Sequence, residues 1–162
     1  MNVGINKNVK LSQHFTLGEL CKTSVKTKDG NIPSRVHIEN LRRLCGWLER
    51  LRLRCNQMKE MKEMRNERND VPIIINSAYR SPAVNKAVGG AATSNHLTGC
   101  AADIRCEGME QAIRYAFILL DISDESQEPF DELLIEQSAK SIWVHFAVRP
   151  EGNRRKVGFL KK

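Results

Sequence analysis

The chain has 162 residues, of which 41% are apolar and 28% charged, enough for a single domain with a substantial core. No apolar run approaches the roughly 18 residues that cross a bilayer, so no membrane insertion is expected. The net charge of +7 is compatible with nucleic acid, an anionic membrane surface or another anionic polymer, and by itself does not choose among them.

The opening stretch MNVGINKNVKLSQHF lacks the apolar segment of a secretory signal, so synthesis in the cytoplasm is expected. In HFTLGEL, Thr16 can cap a helix, Glu19 can complete a capping box and Phe15 can staple onto Leu20. KTKDGNIPS is a turn-rich connector. Ser34 then caps a long helix whose buried face is predicted to be Ile38, Leu41, Leu44, Cys45, Leu48, Leu51 and Cys55, at three-and-four spacing. KEMKEMRNERND interleaves acids and bases, which fits a solvated helix face better than a nucleic-acid arm.

VPIIINSAY predicts a buried strand after Pro72. SPAVNKAVGG predicts a short helix with Ser81 as N-cap, Pro82 at its first position and Gly89 as terminator. AADIR reads as a short strand and GMEQAIRYAFILLD as a strongly apolar helix. FDELLIEQ and SIWVHFAV form a β-hairpin, followed by a basic tail, RPEGNRRKVGFLKK. The five cysteines are odd in number with no C-x-x-C pair, so reduced thiols are expected. The class is α+β: a small, mostly antiparallel sheet with surrounding helices, in one domain over residues 1–162. Its helical part covers about residues 12–70 and its sheet part about 71–150.

Within TSNHLTGCAADIR, a strand over residues 101–105 puts Ala101, Asp103 and Arg105 on one face and turns Cys100 and Cys106 away from it. His96 lies in the preceding loop, which Gly99 can bend back toward Asp103. Alone, such a pair is more often a satisfied polar contact than a metal site. In SIWVHFAV, however, Ile142, Val144 and Phe146 make an apolar face and leave His145 opposite, as a third ligand candidate. Two histidines and a carboxylate leave tetrahedral zinc one open position, the pattern of a catalytic centre. Arg80, between the strand and the cap of the next helix, can grip a carboxylate or polarise a carbonyl.

SAYRSPAVNKAVGGAATSNHLTGCAAD followed by IWVH resembles the D-alanyl-D-alanine carboxypeptidase-like zinc peptidases, a family of peptidoglycan peptidases that includes phage endolysins and is distantly related to the hedgehog fold. The motif His-x-x-Gly-x-Ala-x-Asp with a later Trp-x-His is matched at His96, Gly99, Ala101, Asp103, Trp143 and His145. The resemblance implies zinc held by His96, Asp103 and His145, with Arg80 gripping the substrate and Ser94 either helping to hold it or tying down its loop. Many relatives carry a catalytic glutamate three residues before the last histidine, where this chain has Ile142.

Hairpin arithmetic supplies other bases. If Gln137 pairs with Ile142 across SAKS, Glu136 opposes Trp143 and lies diagonal to His145, at roughly 7–8 Å. Glu132 is diagonal on the other side and is the second choice. The expected function is therefore zinc-dependent hydrolysis of peptidoglycan stem peptides by a monomer with Glu136 as base, acting on the wall after release from the cytoplasm. The alternatives are a non-catalytic zinc or wall-binding module and a basic nucleic-acid-binding protein.

Overall fold

The computed structural model of the chain describes residues 6–58 and 70–162, so the charged stretch over 59–69 lies outside the described residues. Helix α1 is the short turn Leu17–Leu20, capped by the Thr16 hydroxyl, which accepts from the Glu19 N–H. Phe15 and Leu20 are both fully buried beside it. Helix α2 runs Arg35–Gln57 behind Ser34, and its capping box is closed by His37, whose ring accepts from the Ser34 N–H. Its buried face is the expected one with two differences: Ile38 is only partly buried, and Trp47 and Asn40 are added.

Strand β1, Ile75–Ser77, opens an antiparallel run with β2, Ala101–Cys106. Between them lie α3, Pro82–Ala87, capped by the Ser81 hydroxyl, and a 3₁₀ turn, Asn95–Thr98. Helix α4 is Met109–Ser126, followed by β3, Glu132–Gln137, β4, Ile142–Ala147, and β5, Lys156–Lys161. The sheet order is β1-β2-β4-β3-β5, antiparallel throughout except for the parallel β3–β5 pair. The chain is thus α+β with a small, mostly antiparallel sheet.

Two expectations are corrected. VPIIINSAY forms only three residues of strand, and these sit at an edge: Val71, Ile73 and Ile75 are buried while Ile74 and Asn76 are exposed. A continuous apolar run cannot reveal which face of the strand is covered and which meets water. The basic tail is in part a strand: β5 pairs residue for residue with β3, from Glu132↔Lys156 to Gln137↔Lys161. Its lysines and Gly158 hide the period-2 signal, and its position at the sheet edge tolerates them.

Alternation sorts the sheet into two faces. Ala102, Ile104, Leu133, Val144 and Phe146 join one core with the apolar faces of α2 and α4. Trp47 sits at its centre, 2% exposed, with its ring 5.1 Å from Phe146 and 6.5 Å from Phe130. Trp47→Ala is expected to cost about 3–5 kcal/mol, read as a lowered urea midpoint with an unchanged slope. The opposite face carries Asp103, His145, Glu132 and Glu136. The core therefore fixes the strands on which the polar face is mounted.

Candidate metal centre

The hairpin register is the one expected. Gln137 pairs with Ile142, Glu136 with Trp143 and Leu134 with His145 across β3 and β4. On the other side of β4, Asp103 pairs directly with His145. His96 reaches them from the 3₁₀ turn, which Gly99 ends at φ 73°. A side chain at Gly99 would be strained at that φ, and its Cβ would lie 2.7 Å from the His37 carbonyl of α2, so the turn is held by a close approach only glycine permits.

His96 Nε2 lies 3.2 Å and His145 Nδ1 3.0 Å from the same Asp103 oxygen, Oδ1. One ligand atom from each of the three residues falls within 4.8 Å of the others, and all three residues are buried. The atoms turned away from that point are also engaged. His96 Nδ1 lies 2.6 Å from the Ala78 carbonyl, Arg80 Nη2 donates to Asp103 Oδ2 at 2.7 Å, and His145 Nε2 lies 3.1 Å from Glu132 Oε2. Ligands oriented by outer partners in this way are what a metal site requires.

The charges agree with the geometry. Burial would raise the Asp103 carboxyl, but the two histidines outweigh it and hold the group well below the usual aspartate range. Burial would lower His145, but Asp103 and Glu132 push it up to about 9. Glu132 is lowered to about 2, chiefly by its bond with His145, against the effect of burial. Both carboxylates are thus held ionised, with the His145 ring between them. A donor set of two imidazoles and a carboxylate fits zinc.

The other expected site residues are placed as follows. Arg80 Nε donates to the Ser77 hydroxyl at 2.9 Å, and with the Asp103 bond this engages two of its five N–H donors. The Ser94 oxygen accepts from the His96 N–H at 3.3 Å, capping the 3₁₀ turn while its own O–H stays available. Glu136 is 6% exposed, and its Oε2 lies 2.5 Å from Lys162 Nζ, just past the end of β5. Lys162 also stands over the Trp143 ring at 5.4 Å.

A family model described as Peptidase M15 matches residues 13–145. The chain belongs to the Peptidase M15 family. M15 peptidases are zinc-dependent hydrolases related to the D-Ala-D-Ala carboxypeptidases, and the His96–Asp103–His145 cluster of this member could hold the metal. The family implies a peptide substrate. A search of curated proteins finds no match. Among the described residues, no helix is long and apolar enough to cross a membrane.

One network of this M15 peptidase was not anticipated from the sequence. Asp131, fully buried, accepts from Arg154 at 2.7 Å and from the Asn95 side chain at 2.7 Å, with Arg149 Nε 3.1 Å away. Asn95 also donates to Glu132 Oε2 at 3.1 Å, so the residue before His96 is tied to the carboxylate behind His145. The available signal was an Asp-Glu pair followed, one hairpin later, by the arginine-rich RPEGNRR. Arg149 and Arg154 lie beyond the matched residues.

Burial would raise the Asp131 carboxyl, but its bonds from Arg154 and Asn95 lower it. A carboxyl lowered on folding adds stability that is fully present above its unfolded value of about 3.9 and is lost as pH falls below it. Asp131→Asn is expected to cost about 1.5–3 kcal/mol at pH 7, because it removes charged hydrogen bonds from buried Asn95 and from Arg154, while the half-exposed arginine can turn to water. The gap from the parent should narrow below about pH 4, as read from urea midpoints at pH 7 and pH 3.

Proposed function

We propose that the chain hydrolyses peptide bonds in peptidoglycan stem peptides, with zinc held by His96 Nε2, Asp103 Oδ1 and His145 Nδ1. The observation that carries this reading is the convergence of those three atoms, each on a side chain whose far atom is separately held. Zinc in such a centre supplies Lewis acidity that polarises a carbonyl and makes water acidic near neutral pH. Three protein ligands leave room for substrate and water, the arrangement of catalytic rather than structural sites.

Glu136 is the general base of this reading. It lies on the site face of β3, diagonal to His145 across the hairpin, where a long side chain spans the roughly 7–8 Å between them. It takes a proton from the attacking water and returns it to the leaving amine. Its partner Lys162 is more than half exposed and so can yield as the carboxylate turns. Arg80 offers its unengaged N–H groups to a substrate carboxylate or to the developing oxyanion. Ser94 donates its O–H to the substrate while its oxygen keeps the His96 turn capped.

The net charge of +7 supports an anionic polymer such as the cell wall, which a monomer would reach after release from the cytoplasm. The test is digestion of purified peptidoglycan by the zinc-loaded protein, with mass spectrometry of what is released. Free D-alanine would mark a carboxypeptidase, and cut stem peptides an endopeptidase. Either product must disappear with a chelator. Release of nothing by folded, zinc-bound protein would overturn hydrolysis in favour of a wall-binding module.

A further inference from the structure

We infer that Glu132 is the positioning residue for His145: it fixes which ring nitrogen faces the metal and raises that nitrogen's affinity for it. The inference rests on the zinc reading above and assigns Glu132 a role distinct from the base.

An imidazole can present either nitrogen to a metal, and its choice is set by what binds the other. Here Nδ1 of His145 faces Asp103 Oδ1 at 3.0 Å, and Nε2, across the ring, faces Glu132 Oε2 at 3.1 Å. An Nε2–H donated to a carboxylate leaves Nδ1 as the lone-pair ligand and makes it more basic. His96 is arranged in the opposite sense, with Nδ1 on the Ala78 carbonyl and Nε2 toward Asp103. The two rings therefore use different nitrogens, and only His145 has an anion behind it.

Glu132 is itself held on both oxygens. Oε2 also accepts from the Asn95 side chain at 3.1 Å, while Oε1 lies 3.1 Å from Arg154 and 3.8 Å from Lys156. Both oxygens of Glu132 are engaged, Oε2 by His145 and Asn95 and Oε1 by Arg154 and Lys156, which sets its role apart from that of a base. Asn95 adjoins the ligand His96, and Arg154 and Lys156 come from the segment beyond the family match. The carboxylate behind His145 is thus locked from the loop on one side and from the chain end on the other.

The experiment measures the zinc dissociation constant by competition with a chromophoric chelator, and the visible spectrum of the cobalt form, in the parent, Glu132→Ala and Glu132→Gln. Glu132→Ala is expected to weaken zinc by about 10- to 100-fold. Glu132→Gln keeps the shape and an acceptor but loses the charge, so it should fall between the two and shift the cobalt bands. If Glu132→Ala fails to fold, Glu132→Gln decides alone. Unchanged zinc affinity and cobalt spectrum in a folded variant would overturn the inference. Unchanged affinity with hydrolysis lost would make Glu132 the base instead. A parent protein that binds neither zinc nor cobalt would refute the metal reading itself.

Discussion

Glu136→Gln is expected to lower kcat on stem peptides by about 10²- to 10⁴-fold while zinc content and KM stay near those of the parent. Glutamine matches glutamate in shape, so the β3–β4 register is preserved and only the proton acceptor is removed. The exposed Lys162 loses its partner at little cost to stability, because it can turn to water. Steady-state kinetics beside elemental analysis of the same samples checks this. A variant that keeps the parent's kcat would remove Glu136 from the mechanism. A variant that loses zinc as well would make it part of the metal's surroundings.

Asp103→Ala should have the other large effect, and of a different kind. Asp103 Oδ1 is the point on which both histidines converge, and Oδ2 is where Arg80 is anchored. Without it, zinc affinity is expected to fall by more than the 10- to 100-fold typical of an outer partner, and hydrolysis should fall with it. The metal-free protein also loses a buried ion pair, which costs about 3 kcal/mol because the Arg80 guanidinium stays behind, partly buried. Isothermal titration with zinc and a urea melt in chelator separate the two effects. Parent-like zinc binding would exclude Asp103 as a ligand.

The elements that brought these residues together were the ones with strong local signals. Ser34 and Ser81 announce their helices by capping, and both cap as expected. The hairpin register follows from its turn length and the Ile142–Val144–Phe146 face, and it places Leu134 opposite His145. What stayed hidden was long-range or carried by edges. Ile74 is exposed because it alternates with the buried Ile73 and Ile75 and points to the uncovered side, which the unbroken apolar run conceals. The β5 strand depends on pairing with β3, some two dozen positions earlier, and no local period reveals it. Arg154, Lys156 and Lys162 look like a solvated tail in one dimension but fold onto Glu132 and Glu136. Of the two glutamates that alternation put on the site face, only contact distances assign Glu132 to His145 and Glu136 to Lys162.

The most direct test is anomalous diffraction at the zinc edge from crystals of the zinc-loaded protein. The account predicts a single peak among His96 Nε2, Asp103 Oδ1 and His145 Nδ1, with Glu132 still on His145 Nε2. A peak elsewhere, or a zinc bound through His145 Nε2, would contradict it.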